Sequence, residues 1–169
     1  FLYFLNPENI LTFSTDDLFY YSHHTILCRG GYYFVNDYGM QTSILSRFGI
    51  RNHSVKGRDY IFRNGDEHDY RYENVCVINK YNGVNKIEKN GRTFFQSRIH
   101  INGNYIIGIY KSENEAAIAY NKVVDILENI QSVSYTKNYI EDMSYITYAS
   151  IYNSIKISKK LTEYIEGLK

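Results

Sequence analysis

The 169-residue chain has a formal net charge of +1 and 44% hydrophobic residues, enough apolar material for one domain or two small ones, but no global basic field pointing to a nucleic-acid partner. Cys28 and Cys76 stand far apart without any C-x-x-C spacing, which argues against a zinc site or a disulfide framework. No apolar run approaches the roughly 20 residues that a bilayer span needs, so the expectation is a cytoplasmic protein with no membrane partner, no metal and no cofactor.

In chain order, residues 1–13 mix aromatics with Leu and Ile and predict an opening strand or extended segment. Thr15 followed by Asp16 and Asp17 predicts a helix start, because the acids fall where a helix N-terminus favours negative charge. That helix is expected to run through Tyr21. Gly30-Gly31 breaks the chain before a strand at 32–35, and 36–39 reads as a turn. Met40, Ile44, Leu45 and Phe48 have helical spacing and predict a helix over 40–48, stopped by Gly49. Residues 55–63 predict a strand ending at Asn64-Gly65, and the acidic stretch that follows turns apolar at 75–78.

The clearest pattern comes next. Alternating runs at 84–89, 93–101 and 105–110 are separated by Asn90-Gly91 and Asn102-Gly103. Asn-Gly suits tight hairpins because both residues take positive φ cheaply. Ser112 and Glu115 form a capping box for a helix reaching Leu127, with Ala116, Ala117, Tyr120, Val123, Val124 and Leu127 as its packed stripe. Residues 132–138 read as a polar connector. Residues 139–169 read as helical in two pieces, capped by Ser144 with Thr147 and by Ser158. Met143, Ile146, Ile151 and Ile155 share a face on the first piece. The last piece, carrying Leu161, Tyr164, Ile165 and Leu168, is expected to fold back on the domain rather than to dimerise. The fold class is α+β: an N-terminal α+β region over 1–79, a central three-stranded antiparallel sheet packed on one helix over 80–130, and C-terminal helices over 131–169.

Charge is concentrated in the central unit. Between Lys80 and Lys111 there are six Lys or Arg residues and one acid, Glu88, a local +5, whereas Asp66, Glu67, Asp69 and Glu73 make the preceding segment acidic. A sheet with a basic face suits a duplex, since neutralising phosphates releases counterions. Alternation puts Phe95, Ser97, Ile99 and Ile101 under the helix and leaves Phe94, Gln96, Arg98 and His100 outward. Arg with guanine and Gln with adenine are pairings that read a major groove. An exposed strand face carries polar residues in any soluble protein, so these residues alone leave a solvated surface as the competing reading.

Asn82-Gly83-Val84, the run FFQSRI, Gly103, Gly108 and EAAIAYN at 115–121 together resemble the ethylene-response-factor-type (APETALA-two) DNA-binding domain over about residues 80–128. The resemblance implies a three-stranded sheet in the major groove braced by a helix. It also implies that Asn85, Arg98, His100, Asn104, Ile106 and Tyr120 contact DNA. Asn85 departs from the Arg of plant members, and Phe95 from their Trp. With the basic and outward residues, the candidate DNA-binding set is Asn85, Lys86, Lys89, Arg92, Phe94, Gln96, Arg98, His100, Asn104, Ile106 and Tyr120.

In bacteria and phages this module resembles the C-terminal part of His-Asn-His homing endonucleases. Gly31-Tyr32, Leu45-Ser46-Arg47, Phe62-Arg63-Asn64-Gly65, Asp69-Tyr70-Arg71 and Asn74-Val75 resemble the preceding nuclease region over about 16–79. Phe62 stands at the general-base His, Ser46 at another His and Ile61 at an acid. Phe cannot take a proton from water beside a metal-held phosphate. Ser46, Phe62, Asp69, Arg71 and Asn74 are therefore read as a degenerate remnant with no catalytic residue, Asp69, Arg71 and Asn74 persisting as an ion pair and a turn-capping amide. The resulting expectation is a catalytically inactive, double-stranded-DNA-binding protein of phage or mobile-element origin. Two alternatives stand beside it. One is a residual nickase using His68 or His53. The other is a phage accessory factor that inhibits a host protein or ribonucleoprotein, such as a nucleic-acid-targeting defence complex, for which the 19 Tyr would suit an interface.

Overall fold

Glycine-containing turns set the layout of the computed structural model, which describes residues 1–169. The chain divides into two units, Phe1–Lys80 and Tyr81–Lys169. The C-terminal helical segment from residue 131 is part of the second unit.

In the first unit, β1 (Leu2–Asn6) and β2 (Asn9–Phe13) form a hairpin instead of a single opening strand. The Asn6 side chain closes it, its Oδ1 accepting from the backbone N–H groups of Glu8 and Asn9. A 3-10 turn, Thr15–Asp17, leads into α1 (Leu18–His23). Thr15 is not the cap. Ser14 holds that position without a capping bond and instead accepts from the Tyr72 N–H at 3.1 Å. Then β3 (Ile26–Arg29), β4 (Tyr32–Asp37) and β5 (Met40–Ser43) form a meander through Gly30-Gly31 and Tyr38-Gly39, all four at positive φ. The helix expected over 40–48 is therefore half strand, because 40–43 pairs with β4 and leaves Met40 exposed. Only Ile44–Phe48 winds, as a 3-10 segment capped by Ser43 and stopped by Gly49 at φ 74°. The strand expected over 55–63 shortens to β6 (Tyr60–Phe62), because the Asp59 carboxylate accepts from the Val55 N–H and curls 55–59 into a turn. β7 (Asp69–Tyr70) pairs with β2, and β8 (Val75–Val77) with β6. Leu11, Phe13, Tyr21, Ile26, Val35, Ile44 and Tyr70 fill the core of this unit.

The second unit follows the sequence pattern closely. β9 (Val84–Lys89), β10 (Arg92–His100) and β11 (Asn104–Tyr110) form an antiparallel sheet in the order β11-β10-β9. Asn90 and Gly91, at φ 53° and 72°, make the two-residue turn. The second hairpin is looser. Ile101 is drawn into the core at 4% exposure, so three residues link His100 to Asn104. α2 (Glu113–Ile130) begins at Ser112, whose Oγ accepts from the Glu115 N–H at 3.1 Å. Ala116, Ala117 and Ala119 are fully buried, and these small side chains let the helix lie close over Ser97, also fully buried.

α3 (Tyr145–Ser154) and α4 (Lys159–Glu166) are capped by Ser144 and Ser158 as expected. α3 buries no residue completely, and Ile146, assigned to its inner face, is 81% exposed. Met143, Ile151 and Ile155 do pack against the clusters that hold the buried residues of α2, and polar contacts join them, through Tyr148 to Asn121 and Tyr152 to Asp125. α4 folds back, burying Leu161 and Ile165 and stacking Tyr164 on Tyr105. Each such apolar side chain is worth about 1.5–3 kcal/mol. Ser158 donates its N–H to Ile107 O and its hydroxyl to Ile106 O, and Tyr110 donates to Lys156 O, so residues 155–158 run along the outer edge of β11. No helix is long and apolar enough to cross a membrane.

Candidate nucleic-acid interface

The sheet of the second unit has one face under α2 and one face away from it. Cross-strand partners share a face, so the register places the side chains in rows. On the outer face Lys89 lies beside Arg92, Ile87 beside Phe94, and Asn85 beside Gln96, which in turn neighbours Ile109. Arg98 then lies beside Ile106, and His100 beside Asn104. This face carries three cations and no carboxylate, because the one acid of the sheet, Glu88, pairs with Thr93 on the other side.

Most of the candidate residues meet on this face: Asn85, Lys89, Arg92, Phe94, Gln96, Arg98, His100, Asn104 and Ile106. Two do not. Lys86 pairs with Phe95, whose ring packs toward α2, so its side chain leaves from the helix side of the sheet. Tyr120 is 8% exposed in the core between α2 and the sheet. It occupies the helix's inward stripe, and an inward position cannot also reach a ligand on the far face.

Two residues on the outer face were not in the candidate set. Ile87 follows from carrying the alternation of β10 across to its partner strand. Ile109 does not follow from alternation. The register slips between Ser97 and Arg98, so that Ile107 is an extra residue on β11. This bulge turns Ile107 and Gly108 inward together and sends Ile109 outward, 47% exposed. Ile106 is 52% exposed.

In the first unit Ser46, Phe62, Asp69, Arg71 and Asn74 have structural occupations. Asp69 is 3% exposed and receives Arg71 Nε at 2.8 Å, Arg71 Nη2 at 2.6 Å and Asn64 Nδ2 at 2.8 Å. The Arg71 guanidinium holds the Asp69 carboxyl below its ordinary value of 3.8, against the opposing push of burial. Asn74 donates to Asp69 O and accepts from the Asn64 N–H, closing the loop as a turn-capping amide. Ser46 is exposed and donates to Ser43 O at 2.7 Å. Arg47 of the same segment pairs with buried Asp17, which also receives the Tyr72 hydroxyl. Phe62 meets Tyr70 edge-on at 5.5 Å and lines a cleft of about 520 Å³ with Tyr33, Tyr60, Tyr70, Lys56 and His68. His68 stands in a turn with its side chain 46% exposed, and His53 is exposed. No group of three or more His, Cys, Asp or Glu side chains is arranged to hold a metal ion.

Comparison with protein-family models, curated proteins and solved structures finds no match to this chain.

Proposed function

We propose that the outer face of β9, β10 and β11 binds double-stranded DNA. The observation that carries this reading is the row arrangement itself: three cations, four hydrogen-bonding side chains and no carboxylate on one pleated surface, backed by a helix. Phosphate neutralisation would supply the affinity and the amides and guanidinium the base contacts. The resemblance of 80–128 to the ethylene-response-factor-type domain supports the same reading. In it the first unit is a nuclease-like region that has lost its chemistry, since Phe62 offers no base, and the protein acts by occupying DNA. An origin in a phage or mobile element, and action in a bacterial cytoplasm, belong to this reading. Binding of random and genomic duplexes at low salt tests it. The expected result is salt-dependent binding that is weakened by combining Arg98→Ala with Lys89→Ala. Absence of binding, or indifference to that double substitution, would overturn it.

A second reading has one observation in its favour. Ile106 and Ile109 are about half exposed on the same face, and exposed apolar side chains also suit a protein partner. On that reading the chain is an accessory factor that inhibits a host protein or ribonucleoprotein. A host component retained on the full chain after nuclease treatment, together with no DNA binding, would favour it over the first.

A further inference from the structure

The composition of the outer face, row by row, points beyond duplex binding to a base preference, and this inference rests on the DNA-binding reading above. In the major groove, Asn and Gln side chains match the N6/N7 edge of adenine, apolar side chains pack on the C5-methyl of thymine, and Arg matches the O6/N7 edge of guanine. The three interior rows hold two amides, Asn85 and Gln96, which are cross-strand neighbours, and four apolar side chains, Ile87, Phe94, Ile106 and Ile109. They hold a single guanidinium, Arg98. The other two cations of this face, Lys89 and Arg92, are exposed and flank the Asn90-Gly91 turn at one end of the sheet, where they suit phosphates better than base edges.

The apolar residues are the informative part. A surface that only neutralised phosphates would gain nothing from Ile106 and Ile109 at about half exposure. Nor are the four scattered singly: Ile87 is paired with Phe94, and Ile106 and Ile109 lie on either side of the bulge at Ile107. The bulge is what adds Ile109 to the face. Successive rows are two residues, about 6.8 Å, apart along a strand. Strands laid along the groove would therefore carry these three rows past about four base pairs at 3.4 Å each.

We infer that this face prefers A·T-rich duplex, with thymine methyl groups packed against the isoleucines and Phe94, adenines met by Asn85 and Gln96, and an isolated G·C pair tolerated at Arg98. The thymine methyl is the recognised chemical group, and it can be removed without changing base pairing.

Fluorescence anisotropy of the full chain with three 20-base-pair duplexes at one salt concentration provides the test: an A·T-rich duplex, a G·C-rich duplex, and the A·T-rich duplex with every thymine replaced by uracil. The expected result is binding about tenfold or more tighter to the A·T-rich than to the G·C-rich duplex, with part of that advantage, the share due to the thymine methyl groups, lost in the uracil duplex. Combining Ile106→Ala with Ile109→Ala should lower the thymine-to-uracil ratio, and an unchanged ratio would overturn the inference. Both side chains are exposed, and an unchanged circular dichroism melt confirms that the variant folds. Equal binding to all three duplexes, or preference for the G·C-rich one, would overturn the inference and leave duplex binding standing. No binding to any of them at low salt would overturn both.

Discussion

The ring of Tyr120 packs directly against Gly83. Gly83 sits at φ 70°, and a Cβ there would collide with the Tyr120 ring and with the carbonyl oxygen of Arg98. Its own carbonyl accepts from the Arg98 N–H at 2.8 Å. One residue thus joins the entry of β9, the middle of β10 and the inner stripe of α2, and only glycine leaves room for all three. The Tyr120 ring spends its surface on this contact, which is why it is absent from the outer face.

Gly83→Ala should therefore destabilise the second unit by about 2–4 kcal/mol, combining the positive-φ penalty with overpacking against backbone. Urea unfolding measures it. A loss below half a kcal/mol would mean that the helix can move away from the sheet without cost.

Ser97 presents the opposite case. Its hydroxyl is fully buried under α2 with no hydrogen-bond partner. The site requires smallness and gains nothing from the oxygen. Ser97→Ala should be neutral or stabilise by up to about 1 kcal/mol, since an unmet buried hydroxyl costs desolvation. A thermal melt that falls by several degrees would show that the hydroxyl is in fact satisfied.

Asn121 is 2% exposed and holds residues 132–138, read from sequence as a connector, in place. Its amide donates to Asn138 O at 2.8 Å and accepts from the Asn138 N–H at 2.7 Å, while Asn138 in turn bonds both backbone groups of Asn82. Asn121→Leu keeps the volume and leaves the Asn138 backbone unmet. The expected cost is about 2–3 kcal/mol, with faster amide exchange at 138 and 82 as its local signature. Unchanged exchange at both positions would contradict the link.

Lys86 and Lys89 differ by three positions and by face. If the outer face meets DNA, Lys89→Ala should reduce the slope of log affinity against log salt by about 0.9, the value for one phosphate contact. Lys86→Ala should leave it unchanged. Equal effects from the two variants would mean that the duplex lies along the edge of β9 rather than on the face.

Asp69 sets an acid limit on the first unit. Its carboxyl is held below the ordinary 3.8 by Arg71. A depressed folded value means that the stabilisation is fully present above the unfolded value, near 4, and is lost as pH falls through the lower folded value. Stability of the first unit should accordingly drop below about pH 4. Asp69→Asn should flatten that drop while lowering stability at pH 7, as followed by the Tyr70 and Asn74 amide signals. An acid limb as steep as that of the native chain would remove Asp69 from the account.

What the sequence determined by itself is local. Asn90-Gly91 dictated a two-residue turn because Asn and Gly accept positive φ, Ser112, Ser144 and Ser158 dictated helix starts because a short hydroxyl reaches the N–H three residues on, and β10 sorted its two faces by strict alternation. The α+β class and the helix-backed sheet follow from those signals. What only the tertiary structure decided depends on partners distant in the chain. Residues 40–43 became a strand because β4 offered an edge to pair with, against a helical spacing too short to nucleate alone. The bulge at Ile107 reversed the facing of Ile109, a change of register that alternation within one strand cannot encode. Lys86 and Tyr120 were assigned to a face by charge and resemblance, but facing is set by which strand or helix packs against them, and that is a property of the assembled sheet and helix.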